Sequence, residues 1–183
     1  MILGVDKLSI LVNPPAGGDK LVEGLCEREL KSPEGCGFDL CLGRVHRIFG
    51  KGFMGLTERD SANSEQVLQF DPNKQQAIVL QPGESYLVTT LEKVNMPLDL
   101  TANMWLRSTL YRSGVIMSGG NIAPGYNGEL SFLLFNAGKA EMKIELGARI
   151  VHIMFFEIAG QANQYRGQWK GGRVTSTDKE VQV

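Results

Sequence analysis

The composition offers little for a metal cage or a membrane. Among 183 residues there are three cysteines, Cys26, Cys36 and Cys41, and two histidines, His46 and His152. The cysteines are odd in number, form no CxxC pair and lack His partners at ligand spacing, which argues against zinc and predicts buried free thiols. Long apolar runs are missing too. The opening MILGVDKLSILV is interrupted by Asp6 and Lys7, and no later run approaches the roughly 18 residues of a membrane span. A cytoplasmic protein with no membrane partner is the expectation. Positive charge is not in excess, the formal net charge being -1, so nucleic acid polymers are poor candidates as partners. The length suits one domain over residues 1–183, large enough to bury a core without disulfide or metal support.

What is present is a change of texture. Val5, Leu8 and Val12 share one helical face and Leu21 and Leu25 another, with Pro14-Pro15 and Gly17-Gly18 between them, so residues 1–36 read as a helical lead-in with helices over 5–12 and 19–31. From Gly37 onward, short apolar runs at 38–42, 67–70, 77–80, 85–90, 130–135, 142–146 and 149–158 alternate with Gly, Pro and Asn, the spacing of a mainly β barrel or sandwich. Gln81-Pro82-Gly83-Glu84 and Pro124-Gly125-Tyr126-Asn127-Gly128 are turn sequences. Residues 104–111 are the helical candidate inside this region. Residues 51–66 are polar and without period, which predicts a loop, and 159–183 have few apolar anchors, which predicts a mobile C-terminal arm.

Three segments in order carry a resemblance. Gly37-Phe38-Asp39-Leu40-Cys41-Leu42-Gly43 is similar to a small-x-Asp-Leu-x-Leu-Gly strand. Arg107-Ser108-Thr109-Leu110-Tyr111-Arg112-Ser113-Gly114 is similar to Arg-Ser-Ser-x-x-Arg-x-Gly. Ile122-Ala123-Pro124-Gly125-Tyr126-Asn127-Gly128 resembles an (Ile/Val)-Asp-Pro-Gly-(Trp/Phe)-x-Gly hairpin. All three belong to the dCTP deaminase/dUTPase superfamily, and the resemblance runs from about residue 37 to 177. It implies a distorted, dUTPase-like β-barrel behind the short helical region, assembled as a homotrimer. It also implies pyrimidine deoxynucleoside triphosphate sites shared between subunits, Mg²⁺ bound through the triphosphate rather than by a metal site of the protein, and an arm that closes over the ligand.

Read from their own chemistry, Arg107, Ser108 and Thr109 supply a guanidinium, two hydroxyls and main-chain N–H groups suited to an anion, and Arg112 adds a second charge if the fold turns it inward. A surface Arg paired with a carboxylate is the alternative. By resemblance, Ser108 and Arg112 take catalytic places, and Tyr126 lines the pocket of the pyrimidine and sugar. An exposed Tyr on a plain turn is the alternative there. Tyr165 and Lys170, with Gln168 and Trp169, combine ring faces and donors as a cover for a nucleotide, against the alternative of a disordered tail.

Two departures divide the resemblance. The hairpin Asp that positions water in dUTPases is Ala123, and the strand Glu that moves protons in deaminases is Leu133. Neither side chain can exchange a proton, and such catalysis is worth about 10²–10⁴-fold in rate. Glu129 is four residues from Leu133, about 13 Å along a regular strand, and cannot simply replace its missing acid. Glu84, Glu92 and Glu141 cannot be placed from sequence. A nucleotide-binding protein without the standard chemistry follows, with two alternatives: an active dCTP deaminase or dUTP diphosphatase using relocated groups, and a structural or regulatory trimer.

Overall fold

Val5–Val12 becomes a helix because a bridged extended segment delivers it to the barrel with one apolar face inward. In the computed structural model, which describes residues 1–176 and 179–181, Ile2 bridges Phe156, the Leu3 N–H donates to the Phe155 carbonyl at 2.9 Å, and Leu8 and Val12 are buried. In chain order the elements are α1 (Val5–Val12), β1 (Val22–Glu23), α2 (Glu27–Lys31), β2 (Gly37–Phe49), β3 (Phe53–Met54), β4 (Glu58–Asp60), β5 (Asn63–Gln69), β6 (Ala77–Leu80), β7 (Ser85–Asn95), β8 (Leu100–Leu106), α3 (Ser108–Arg112), β9 (Val115–Ser118), β10 (Asn121–Ile122), β11 (Asn127–Asn136), β12 (Met142–Glu145), β13 (Arg149–Glu157) and β14 (Glu180–Val181).

The expected mainly β architecture is present as a curled, barrel-like antiparallel sheet. Its path runs β10-β8-β13-β2-β7-β11-β9, with β1 on β7 and β5 on β2. The pair β12–β6 and the ribbon β14-β4-β3 stand beside it. Alternation places Val45, Val88, Phe132 and Leu134 inside. The rings of Phe38 and Phe155 meet edge to face, centroids 6.5 Å apart. Strand β2 makes the curl possible. Its first half pairs with β13 and its second half with β7 and β5, and the register shifts between Leu42 and Arg44. Gly43 sits at the changeover, where a Cβ would lie 2.6 Å from the Thr90 carbonyl oxygen. Beside it the buried Glu92 carboxylate accepts the Cys41 N–H at 2.9 Å.

Several local expectations are corrected. Residues 19–31 form no continuous helix. Leu21 bonds backbone to backbone with both Leu11 and Asn95, β1 pairs with β7, and only Glu27–Lys31 is helical, so the Leu21/Leu25 spacing reports burial and not helical period. Of 104–111, the first three residues end β8 and α3 is a single turn; the Leu106/Leu110 spacing straddles a strand end. Residues 51–66 contain β3, β4 and the start of β5, short strands with no buried face to give them a pattern. The thiols are not uniformly buried: Cys41 is, Cys36 is half-buried and Cys26 exposed. Among the described residues no helix is long and apolar enough to cross a membrane.

Candidate functional site

The hairpin between β10 and β11 is clamped at its turn. The Met96 N–H donates to the Tyr126 carbonyl at 2.8 Å, and the Gly125 N–H returns to the Met96 carbonyl at 3.0 Å. Gly125 has φ +73°, the conformation its turn requires. The turn buries the Tyr126 ring, so the exposed-Tyr alternative does not hold. Its hydroxyl donates to the Glu129 carbonyl at 2.6 Å, and burial pushes its pKa up to about 12, so it remains a donor at neutral pH. Beside this ring lies a cavity of about 170 Å³ lined by Asn121, Ala123, Tyr126, Ser131, Tyr165 and Trp169 among others, with no charged side chain among its described lining. An uncharged, aromatic-walled pocket with the Asn121 carboxamide and the Ser131 hydroxyl suits a neutral planar ring.

The arm forms the outer wall of that pocket. The Tyr165 N–H donates to the Pro124 carbonyl at 2.7 Å, and the Gly171 N–H to the Asn127 carbonyl at 2.7 Å. The Gln168 side chain accepts from Arg59 Nε at 2.7 Å, and the Arg173 guanidinium lies 5.9 Å from the Trp169 ring centroid. Composition concealed this docking because main-chain bonds and single aromatic contacts do the anchoring. Lys170 is placed apart from Tyr165 and Trp169. With Asp19, Met96, Asn127 and Gln164 it lines a separate cavity of about 440 Å³ that also touches Tyr126.

The Arg107 segment faces elsewhere. Arg107 is the extended residue before α3, and its guanidinium contacts the Asp39 carboxylate, which is 1% exposed. This is the pairing named above as the alternative to an anion contact. Arg107 and Thr109, with Lys143, Glu145 and Arg149, line a cavity of about 430 Å³ that shares no lining residue with the hairpin pocket. Within one chain, therefore, Arg107 and Thr109 are not brought together with Tyr126 and Tyr165. Ser108 and Arg112 stand exposed on α3.

Leu133 lies half-buried on the outer face of β11, between Leu87 of β7 and Ser118 of β9. Across Leu87 the same row continues to His46, a buried imidazole that sequence reading passed over. Its Nε2 has no hydrogen-bond partner among the described residues, and burial, with Arg44 second, lowers its pKa and keeps it neutral. Nothing in a lone His between Val45 and Arg47 signals this; only strand pairing does. The remaining acids have other partners. Glu129 pairs with Arg44 next to a register shift, Glu92 holds Cys41, Glu84 accepts from the Gln81 N–H of its own turn, and Glu141 accepts from the Gln81 side chain. None of the four lines the hairpin pocket.

A family model described as dCTP deaminase-like matches residues 19–158. The dCTP deaminase of Pyrococcus furiosus is 33% identical over 152 residues, covering 82% of this chain and 85% of its own. That of Thermococcus kodakarensis is 36% identical over 160 residues, covering 87% and 90%. A dUMP-forming dCTP deaminase of Halobacterium salinarum is 29% identical over 167 residues, covering 89% and 85%. In fold, the 2'-deoxycytidine 5'-triphosphate deaminase of Agrobacterium tumefaciens superposes with a TM-score of 0.62 at 18% identity, over 84% of this chain but only 46% of that longer one.

Proposed function

The chain belongs to the dCTP deaminase-like family, and on that premise we propose that it binds a pyrimidine deoxynucleoside triphosphate. The base and sugar enter the uncharged hairpin pocket, and the phosphates meet the Arg107 segment. One observation carries this reading: charge is segregated, with aromatic and amide groups at Tyr126, Tyr165 and Asn121 and guanidinium groups in the cavity of Arg107 and Thr109. Ser108 and Arg112, exposed on α3, are free to reach a ligand that approaches from outside the chain.

Because the two cavities share no lining residue, the reading places the complete site between subunits of a homotrimer, the hairpin of one copy against the Arg107 segment of another. An apolar groove of about 600 Å³ supports that arrangement. It shares Met104, Gly119, Gly120 and Asn121 with the hairpin pocket, and its lining includes the exposed Trp105, Tyr111 and Ile116. Among the described residues no three His, Cys, Asp or Glu side chains converge on a metal position. The residues present fit Mg²⁺ only as a counter-ion held by phosphate oxygens, where it would neutralise charge on the triphosphate.

With Ala123 and Leu133 where the family resemblance implies Asp and Glu, the hairpin itself offers no proton-transfer group, and binding without standard turnover is the conclusion. Calorimetry with dCTP and dUTP in the presence of Mg²⁺, alongside assays for ammonia and pyrophosphate, tests it. Absence of binding to either nucleotide overturns the reading. The alternative, an active deaminase or diphosphatase, is favoured by His46, a neutral imidazole in the row of Leu133; turnover that His46→Gln abolishes would establish it.

A further inference from the structure

We propose that Arg149 is a second guanidinium of the phosphate site and that Asp39 is the positioning residue that sets it beside Arg107. The inference rests on the triphosphate reading above and adds residues to it that the Arg107–Gly114 motif does not contain. Arg149 begins β13, and its Nη1 donates to Asp39 Oδ2 at 3.0 Å; Arg107 Nη1 contacts the same oxygen. With Arg28 Nη1 at 3.5 Å, three guanidiniums from separate elements thus converge on one carboxylate oxygen, and of these Arg107 and Arg149 face the cavity. Each is one-third exposed and each lines the same cavity.

The carboxylate is held from behind. Asp39 Oδ1 lies 2.9 Å from His152 Nδ1, and the Asp39 N–H donates to Glu29 Oε2 at 2.9 Å. Glu29, fully buried, contacts Arg28 and lies 3.4 Å from Arg149. Three guanidiniums therefore face two buried carboxylates, and a third, exposed carboxylate pairs with Arg28 alone. That carboxylate, Glu34, lies 3.5 Å from Arg28 and is 70% exposed, so the pair is screened by solvent. At the cavity itself Lys143 and Glu145 cancel formally, and Glu145 already accepts from Gln75 at 3.0 Å. At the cavity, Arg107 and Arg149 share the single Asp39 carboxylate, and their planar forks match the oxygens of a polyphosphate better than ammonium groups could.

The test is calorimetric titration of the full chain with inorganic tripolyphosphate, with dUTP and with 2'-deoxyuridine, for the wild type, Arg149→Gln, Arg149→Lys and Asp39→Asn. The expected result is that Arg149→Gln weakens tripolyphosphate and dUTP about tenfold or more while deoxyuridine binding is unchanged. Arg149→Lys, which keeps the charge and loses the fork, should recover only part of that loss, and it decides the matter if the Gln variant fails to fold. Asp39→Asn should weaken tripolyphosphate although it removes a negative charge, an outcome that simple electrostatics would reverse. Wild-type binding of dUTP that is the same in both Arg149 variants overturns the inference and leaves the triphosphate reading standing. No binding of dUTP or tripolyphosphate by the wild type overturns both.

Discussion

Tyr165 of the arm meets Tyr126 of the hairpin edge to face, ring centroids 5.4 Å apart and planes at 76°, so the chain closes its own uncharged pocket with its own C-terminal segment. Such aromatic pairs contribute about 0.5–1.5 kcal/mol beyond the area they bury. Tyr165→Ala is expected to loosen the arm without unfolding the barrel. Hydrogen exchange should rise at Tyr165 and Gly171, whose N–H groups bond the hairpin, and stay unchanged in β2 and β7.

Gly128 should be equally sensitive. Its φ is +125°, and a Cβ there would run into the backbone of Gly171 and Gly172. Gly128→Ala is expected to displace the arm and to lower nucleotide affinity more than it lowers the melting temperature. Equal nucleotide affinity in the variant and the wild type would show that the docked arm is not part of the pocket.

Placing acids at Ala123 and Leu133, where the resemblance implies Asp and Glu, probes the proposed site. Ala123→Asp together with Leu133→Glu is expected to produce measurable deamination of dCTP or pyrophosphate release from dUTP, by up to about 10²-fold over the wild type. A folded double variant that binds nucleotide yet stays at background would show that the defect extends beyond these two positions.

Stability should fall on the acid side of neutrality. Burial lowers the His46 pKa below its ordinary value, so the folded state resists a proton that the unfolded chain accepts. Stability from this group is complete above the unfolded value, about 6.5, and is lost as pH drops below it toward the folded pKa, by at most about 1.4 kcal/mol per pH unit. Melting temperatures measured from pH 7.5 to 5 should decline, and His46→Gln should flatten the decline.

The strands were legible where one face is buried. The apolar runs 85–90, 130–135 and 149–158 mark parts of Ser85–Asn95, Asn127–Asn136 and Arg149–Glu157, and Pro82-Gly83 and Pro124-Gly125 mark their turns. The ribbon of β3 and β4 was not legible, because strands solvated on both faces carry no period. The segment 19–31 misled for a related reason: Leu21 bonds Asn95 and Val22 pairs with Val94, contacts about 70 residues away that no local window contains.

The candidate site divides in the same way. Local sequence by itself determined that Ala123 and Leu133 cannot move protons, that Tyr126 follows a tight turn, and that Arg107-Ser108-Thr109 can meet an anion, because side-chain chemistry and turn preference are properties of the residues alone. Only the tertiary structure decided that Arg107 shares Asp39 with Arg149, that the arm docks on the chain's own hairpin, and that His46 lies in line with Leu133. Those relations depend on strand register and on the bend at Gly43, which bring together residues as far as 110 positions apart, and neither composition nor periodicity encodes which distant strand a given strand will pair with.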